Sequence, residues 1–148
     1  MSRVKDDNLP QHDIDTFHYG ELPYDLMPSG SHVAVYGFSA DGGASVLTTG
    51  VKAELPVFFN GTIVGVELLA DVSGSCVVDI QKSTYGGFPT TATIVDGSKP
   101  TLSSAIKYLD QTLSGWTTGL SDGDVLRFKI DSISSIKRLS VALKVQRT

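Results

Sequence analysis

The 148-residue sequence has a single cysteine, Cys76, and no long apolar run. One cysteine excludes a disulfide within the chain and a zinc site built from cysteines. No stretch approaches the roughly 18 apolar residues that a membrane helix needs, so no membrane partner is expected. The opening residues also lack the apolar core of a signal peptide. These absences predict a soluble protein that is made in a cytosol.

The chain also lacks the short motifs of phosphate-binding loops, dinucleotide sites, zinc proteases and complete calcium loops. Its three histidines, His12, His18 and His32, lie in the first segment of the chain or at the junction with the rest. A catalytic Ser-His-Asp or Cys-His arrangement needs its histidine on a rigid scaffold. We therefore expect no enzymatic activity, no cofactor and no bound metal.

Charge is concentrated at one end of the chain. Residues 1–30 hold six acids against two bases, which accounts for the whole net charge of −4, and the remaining residues hold ten acids and ten bases. A nucleic-acid-binding protein usually presents a cluster of basic residues on one surface. No such cluster is present, so nucleic acid is not an expected partner.

Residues 1–31, called the arm below, combine acidic and apolar side chains with the prolines Pro10, Pro23 and Pro28. Proline disfavours regular helix and sheet, which makes an extended conformation the expectation. A disordered terminus is one interpretation. We favour an arm that docks on a neighbouring subunit, because a solvated tail would not need large apolar groups. The candidate anchors are Phe17, Tyr19, Leu22, Tyr24, Leu26 and Met27.

Residues 32–148, called the body, show the alternation of apolar and polar residues that is typical of strands. Turn dipeptides such as Asn60-Gly61 and Ser73-Gly74 separate the apolar runs, and Pro56 predicts an edge strand or a bulge. Strands are predicted over 32–38, 48–59, 62–71, 75–83, 92–96, 124–131 and 138–146. In the second strand, one apolar face is expected to hold Val51, Ala53, Leu55, Val57 and Phe59. In the last two strands, the expected inner residues are Leu126, Phe128 and Ile130, and Leu139, Val141, Leu143 and Val145.

Residues 101–116 are ambiguous. Leu102, Ile106, Leu109 and Leu113 follow helical spacing, but an irregular crossing followed by a strand over 108–113 fits equally well. About eight strands and no alternation of strands with helices predict an all-β, antiparallel β-sandwich or jelly roll with an extended N-terminal arm.

Three features could be sites or structure. The stretch "SGWTTGLSDGDVLRFKIDS" (114–132) holds the only tryptophan, Trp116, and an Asp-Gly-Asp sequence. Asp-Gly is first of all a turn dipeptide, and we expect Trp116 to fill or cap the core and Cys76 to pack as a small apolar residue. Asp71, Asp79 and Asp131 could form a carboxylate pair for glycoside hydrolysis, but spacing in sequence does not establish it.

Five blocks of the body together resemble a β-domain of tailed-bacteriophage and prophage structural proteins. The blocks are "LLADVSGSCVVDIQKSTYGGFP" (68–89), "KPTLSSAIK" (99–107), "LSGWTT" (113–118), "GDVLRFKIDS" (123–132) and "RLSVALKV" (138–145). The resemblance spans roughly residues 44–148 and excludes the arm. It implies a jelly-roll-like sandwich, often trimeric, without enzymatic activity.

Such domains occur on capsid surfaces and on tail fibres, and the sequence shows no shaft, repeat or coiled-coil heptad. The resemblance therefore implies a capsid decoration, or cement, protein that is located on the virion surface as a homotrimer. Its arm would contact the major capsid protein or a sister subunit. The alternative is a tail-associated domain that binds a host receptor through exposed loops such as 83–91.

Overall fold

The computed structural model describes residues 32–148, and in this range the chain is all-β. Eight strands follow one another, with a 3-10 turn after the third, and no α-helix occurs among the described residues. The strands are β1 (Val33–Asp41), β2 (Gly50–Pro56), β3 (Gly61–Thr84), β4 (Ala92–Thr93), β5 (Thr101–Asp110), β6 (Gly119–Leu120), β7 (Asp124–Ser134) and β8 (Arg138–Arg147); the 3-10 turn is Tyr85–Gly87.

The 24-residue strand β3 organises the sheet, because its two halves pair with different neighbours. Residues 61–70 pair with β8, and residues 75–84 pair with β7, both antiparallel. Strand β5 pairs with both halves of β3. The strand order is β1-β8-β3-β7-β2, and β4, β5 and β6 each pair with β3.

Each half of the long strands β3 and β5 can be counted as a strand of its own. The strands then form two groups of four. One group is β1-β8-β3-β5 and the other is β2-β7-β3-β5, which is the strand arrangement of an eight-stranded jelly roll. Since β3 and β5 run through both groups, the antiparallel sheet is continuous and curls into a half-barrel, consistent with a β-sandwich. The predicted fold class is confirmed, while the predicted arm lies outside the described residues.

The core forms where the inner sides of β7 and β8 meet those of β3 and β1. Leu126, Phe128 and Ile130 of β7 are fully buried, as predicted, and the Phe128 ring lies 5.2 Å from that of Phe38. Each such side chain removed from water contributes about 1.5–3 kcal/mol to folding. The predicted inner residues of β8 are also at most 1% exposed: Leu139, Val141, Leu143 and Val145.

The prediction from Pro56 is confirmed, since β2 is an edge strand that pairs only with β7 and has a register shift between Val51 and Ala53. Because of this shift, Val51 and Ala53 face opposite sides of the sheet. Val51 is 49% exposed, whereas Ala53 and Leu55 pack against the core. The prediction that Val51 shares one face with Ala53 and Leu55 is therefore wrong.

Asn60-Gly61 is not the predicted hairpin turn. Strands β2 and β3 each pair with β7 and not with each other. The Asn60 side chain accepts a hydrogen bond from the backbone N–H of Asp122 at 2.9 Å, and its carbonyl accepts one from Thr148 at 3.0 Å. Asn60 thus connects three chain segments at one end of the body.

The predicted turn at Ser73-Gly74 is also wrong, because β3 continues through both residues. Glycine is needed there for space. A Cβ on Gly74 would lie 2.5 Å from Cγ1 of Ile136 and 2.7 Å from the carbonyl oxygen of Ser134. The glycine lets the turn between β7 and β8 pack directly on β3 where that strand passes from one half to the other.

Residues 101–116 fit neither predicted alternative, since the strand begins at Thr101 and ends at Asp110. Ser104 has a φ of 48°, and the pairing of β5 with β3 shifts register beside it. The irregularity interrupts strict alternation, so the leucines show a spacing that resembles a helix. Strand β4 is likewise shorter than the predicted 92–96, and its successors Ile94 and Val95 are buried.

Candidate interaction surfaces

The outer side of β2, β7 and the second half of β3 is covered by charged and polar side chains, and we call it the polar face. Register places Asp79 opposite Lys129 and Gln81 opposite Arg127, which in turn lies opposite Glu54 on β2. The polar face consists of Glu54, Asp79, Gln81, Thr91, Thr93, Lys99, Arg127, Lys129 and Asp131.

Asp79 is the buried centre of the polar face and is only 3% exposed. Its two carboxylate oxygens accept hydrogen bonds from Nε2 of Gln81 at 2.7 Å and from Oγ1 of Thr93 at 2.6 Å. The ammonium of Lys99 lies 3.7 Å away. A buried carboxylate is tolerated when it is paired and hydrogen-bonded in this way.

Lys99 connects Asp79 to the second predicted carboxylate, Asp131. Its Nζ lies 2.7 Å from Oδ2 of Asp131, and Nζ of Lys129 lies 2.9 Å from the other oxygen. The hydrogen bond from Lys99 lowers the pKa of Asp131, and the same bond raises the pKa of Lys99.

The structure thus brings Asp79 and Asp131 together around a shared cation, as sequence alone could not establish. A glycosidase needs one carboxyl group with a raised pKa as proton donor. The pKa of Asp131 is lowered instead, so the arrangement favours a structural ion pair of Asp131 with Lys99 and Lys129. Asp71, the third candidate, lies elsewhere: its Oδ1 accepts N–H bonds from Arg138 and Lys137, and the bond from Arg138 is the main cause of its lowered pKa.

Arg127 holds the 85–91 loop onto the polar face. Its guanidinium donates to Glu54 at 2.7 Å, to Thr91 at 2.8 Å and to the carbonyl of Pro89 at 3.1 Å. The same group lies 5.7 Å from the ring centroid of Phe88, within the range of a cation–π contact.

Beside this anchored part of the loop, Tyr85 is 82% exposed. Phe58, at the end of the neighbouring strand β2, is 75% exposed. Tyr85 directly follows β3, and both β2 and β3 pair with β7. The ends of the two strands lie at the start of β7, because Pro56 is opposite Val125 and Thr84 is opposite Asp124. Two aromatic rings therefore project at one end of the body.

The stretch around Trp116 is structural, as predicted. Trp116 packs against the core and donates its indole N–H to the carbonyl of Ser98 at 2.9 Å. Ser121 to Asp124 form a turn in which Asp124 accepts the N–H of Ser121 at 2.9 Å and pairs with Lys82 at 3.4 Å. Cys76 is 1% exposed, and burial raises the pKa of its thiol.

The opposite outer face, on β1, β8, the first half of β3 and β5, has a different character. Register aligns Gly37, Ala142, Glu67 and Leu109 in one row across the four strands, and Val35, Lys144 and Gly65 in the next. A trough of about 400 Å³ follows these rows. Its lining is Val33, Val35, Gly65, Val66, Glu67, Leu109, Gln111, Ala142 and Lys144.

Sequence reasoning missed the trough. The available signal was the strand over 33–38, where both alternating sets of side chains are apolar or small. An antiparallel strand with one solvated face normally shows polar residues on that face. The bridging role of Lys99 was also missed, because it depends on contacts distant in sequence.

The predicted arm anchors, Phe17 to Met27, lie outside the described residues. Among residues 32–148, no three or more His, Cys, Asp or Glu side chains are grouped so that they could hold a metal ion. In the same range no helix is long and apolar enough to cross a membrane. Comparisons with protein-family models, curated proteins and solved structures give no match to this chain.

Proposed function

We propose that the chain is a non-enzymatic structural protein of a tailed-bacteriophage virion. In this proposal it is a capsid decoration, or cement, protein that binds the outer surface of the capsid as a trimer. Its arm contacts the major capsid protein and thereby stabilises the shell.

The observation that carries the proposal is the division of the chain into an acidic, apolar arm and a body without net charge. The blocks that resemble phage structural proteins lie in strands β3, β5, β7 and β8 and in the loop before β6. The resemblance therefore concerns the framework of the body, and it leaves the arm as the distinctive part of this chain.

Segments that become ordered on binding can cover a large area with few residues, although they lose chain entropy. In the arm, apolar side chains would offset that loss at about 25 cal/mol for each Å² of apolar surface removed from water. Its acidic groups would fix the register against basic patches on the capsid.

Co-sedimentation with purified shells that lack the protein tests this proposal. In a triple variant, Phe17→Ser, Tyr24→Ser and Leu26→Ser remove three anchors from the full-length chain. Since a buried large apolar side chain contributes about 1.5–3 kcal/mol, we expect shell affinity to fall more than a hundredfold. Phe58→Ser, which removes an exposed aromatic ring from the body, is the matched control and should bind like the wild type. Normal binding by the triple variant would contradict the proposal.

A second candidate function is a receptor-binding domain of a phage tail. The specific observation in its favour is the projection of Tyr85 and Phe58 at one end of the body. Aromatic rings with an exposed apolar face are frequent anchors in recognition surfaces. This candidate predicts that Phe58→Ser and Tyr85→Ser abolish binding to host cells and that the arm variant retains it.

A further inference from the structure

The two outer faces of the body differ in how their side chains are partnered. On the polar face, the carboxylates of Glu54, Asp79 and Asp131 each contact a cation. On the other face, Val35 is 67% exposed and Leu109 is 62% exposed. Large apolar groups exposed on the same solvated sheet face indicate an interaction site.

The trough combines projections and a hollow on one surface. Val35 on β1 and Leu109 on β5 stand at its two sides, three strands apart in the β1-β8-β3-β5 group. Between them the lining includes Ala142 of β8 and Gly65 of β3, which have little or no side chain. A volume of about 400 Å³ accommodates a few apolar side chains.

A surface that has both projections and a hollow is suited to a copy of itself. In a trimer, the projecting side chains of each copy can enter the hollow of the next copy around the three-fold axis, so each copy offers its projections to one neighbour and its hollow to the other. Charge supports this occupant, because Glu67 and Lys144 both line the trough. In a symmetric contact, Glu67 of one copy can pair with Lys144 of the other, whereas a uniformly acidic partner would meet Glu67 with like charge.

We propose that the outer face of β1, β8, β3 and β5, centred on this trough, is the contact between copies of this chain. This surface is where the copies would meet in the oligomer of the proposed function. The inference takes only the number of copies from that proposal. It does not depend on the capsid, so the two can fail separately.

Sedimentation velocity of the full-length chain over a range of concentrations tests the inference. We expect the wild type to assemble, and Val35→Lys or Leu109→Lys to weaken assembly at least tenfold. Both side chains are mostly exposed, so the substitutions leave the core intact. Val51→Lys changes a similarly exposed valine on β2, outside the trough, and should assemble like the wild type.

Charge exchange provides a second measurement that does not depend on apolar side chains. Glu67→Lys alone should weaken assembly, and adding Lys144→Glu should restore it, because the pair is re-formed with opposite polarity. A wild type that stays monomeric at all concentrations would overturn the inference. Unchanged assembly of the Val35→Lys and Leu109→Lys variants would also overturn it. The same holds if assembly is lost only when the arm anchors are substituted.

Discussion

Lys99 links the two aspartates of the polar face. It neutralises the buried carboxylate of Asp79 and donates a hydrogen bond to Asp131. Removal of one partner from a buried polar network leaves the other partners desolvated and unpaired, which is more costly than the net gain from the pair.

Lys99→Met keeps the aliphatic stem and removes the charge, and we expect it to lower the free energy of unfolding near neutral pH by about 1–2 kcal/mol, allowing for the partial exposure of the lysine. Lys129→Met is the matched control, since Lys129 is more exposed and contacts only Asp131 in this network. Its effect should stay below about 1 kcal/mol. Urea denaturation measures both, and equal effects of the two substitutions would contradict the role assigned to Lys99.

The same network predicts a pH dependence. The pKa of Asp131 is lowered from 3.8 in the folded protein, so its contribution to stability is present above 3.8 and is lost as pH falls through the folded pKa. The pKa of Lys99 is raised from 10.5, so its contribution is present below 10.5 and is lost as pH rises through the folded pKa. Denaturation curves at several pH values should therefore show a smaller loss of stability below about pH 4 in Lys99→Met than in the wild type. If stability fell equally in both proteins below about pH 4, the result would argue against the ion pair of Lys99 with Asp131.

Gly74 is constrained by space. In Gly74→Ala the new Cβ would meet Ile136 and the backbone of Ser134, and we expect a loss of about 1–3 kcal/mol in the free energy of unfolding. Gly86→Ala has no atom within 4 Å of its Cβ and should change stability by less than about 0.5 kcal/mol. Thermal or urea denaturation distinguishes the two, and a tolerated Gly74→Ala would show that β3 and the β7–β8 turn are not in tight contact.

At the scale of elements, sequence patterns predicted the strands with strict alternation and failed where a strand is irregular. Strand β8 and the part of β7 up to Ile130 alternate without interruption, and their inner residues were predicted correctly. In β5 the irregularity at Ser104 interrupts the alternation of inner and outer residues. In β2 the register shift turns Val51 to the outer side. A local window does not show such shifts, because they depend on the partner strand.

Turn dipeptides were the least reliable signal. Ser121 to Asp124 does form the predicted turn, but Asn60-Gly61 and Ser73-Gly74 do not form hairpins. Both glycines instead allow close contact with another strand or turn, since a Cβ on Gly61 would lie 2.8 Å from the carbonyl oxygen of Gln146. A local sequence gives no means of separating a glycine that bends the chain from a glycine that leaves space for a neighbour.

Arg127 anchors the 85–91 loop through hydrogen bonds to Thr91 and to the carbonyl of Pro89. Arg127→Lys keeps the charge but cannot reproduce the planar fork that reaches Glu54, Thr91 and Pro89 together. We expect faster amide hydrogen exchange at Phe88 and Thr90, whose N–H groups bond to Thr84 and Gly87, with little change in β8. Lys129→Met on the same strand should leave loop exchange unaltered. If Arg127→Lys left it unaltered too, the loop would be held by other contacts.

At the scale of the whole molecule, the body is a jelly-roll-like framework with one outer face of paired charges and one with an apolar trough. The framework was predictable from alternation, since a sheet with a buried side imposes that pattern. The outer faces were not, because their character depends on which strands become neighbours. In the proposed function, the trough joins copies of the chain and the arm binds the capsid.

The location of the protein in an intact particle tests the central proposal most directly. In an electron cryomicroscopy reconstruction of virions, we predict density that fits the β body on the outer surface of the capsid, with connected density from the arm over neighbouring capsid subunits. A matched preparation without the protein should lack both. Density for the body at the tail, with none on the capsid surface, would contradict the account and favour the receptor-binding alternative.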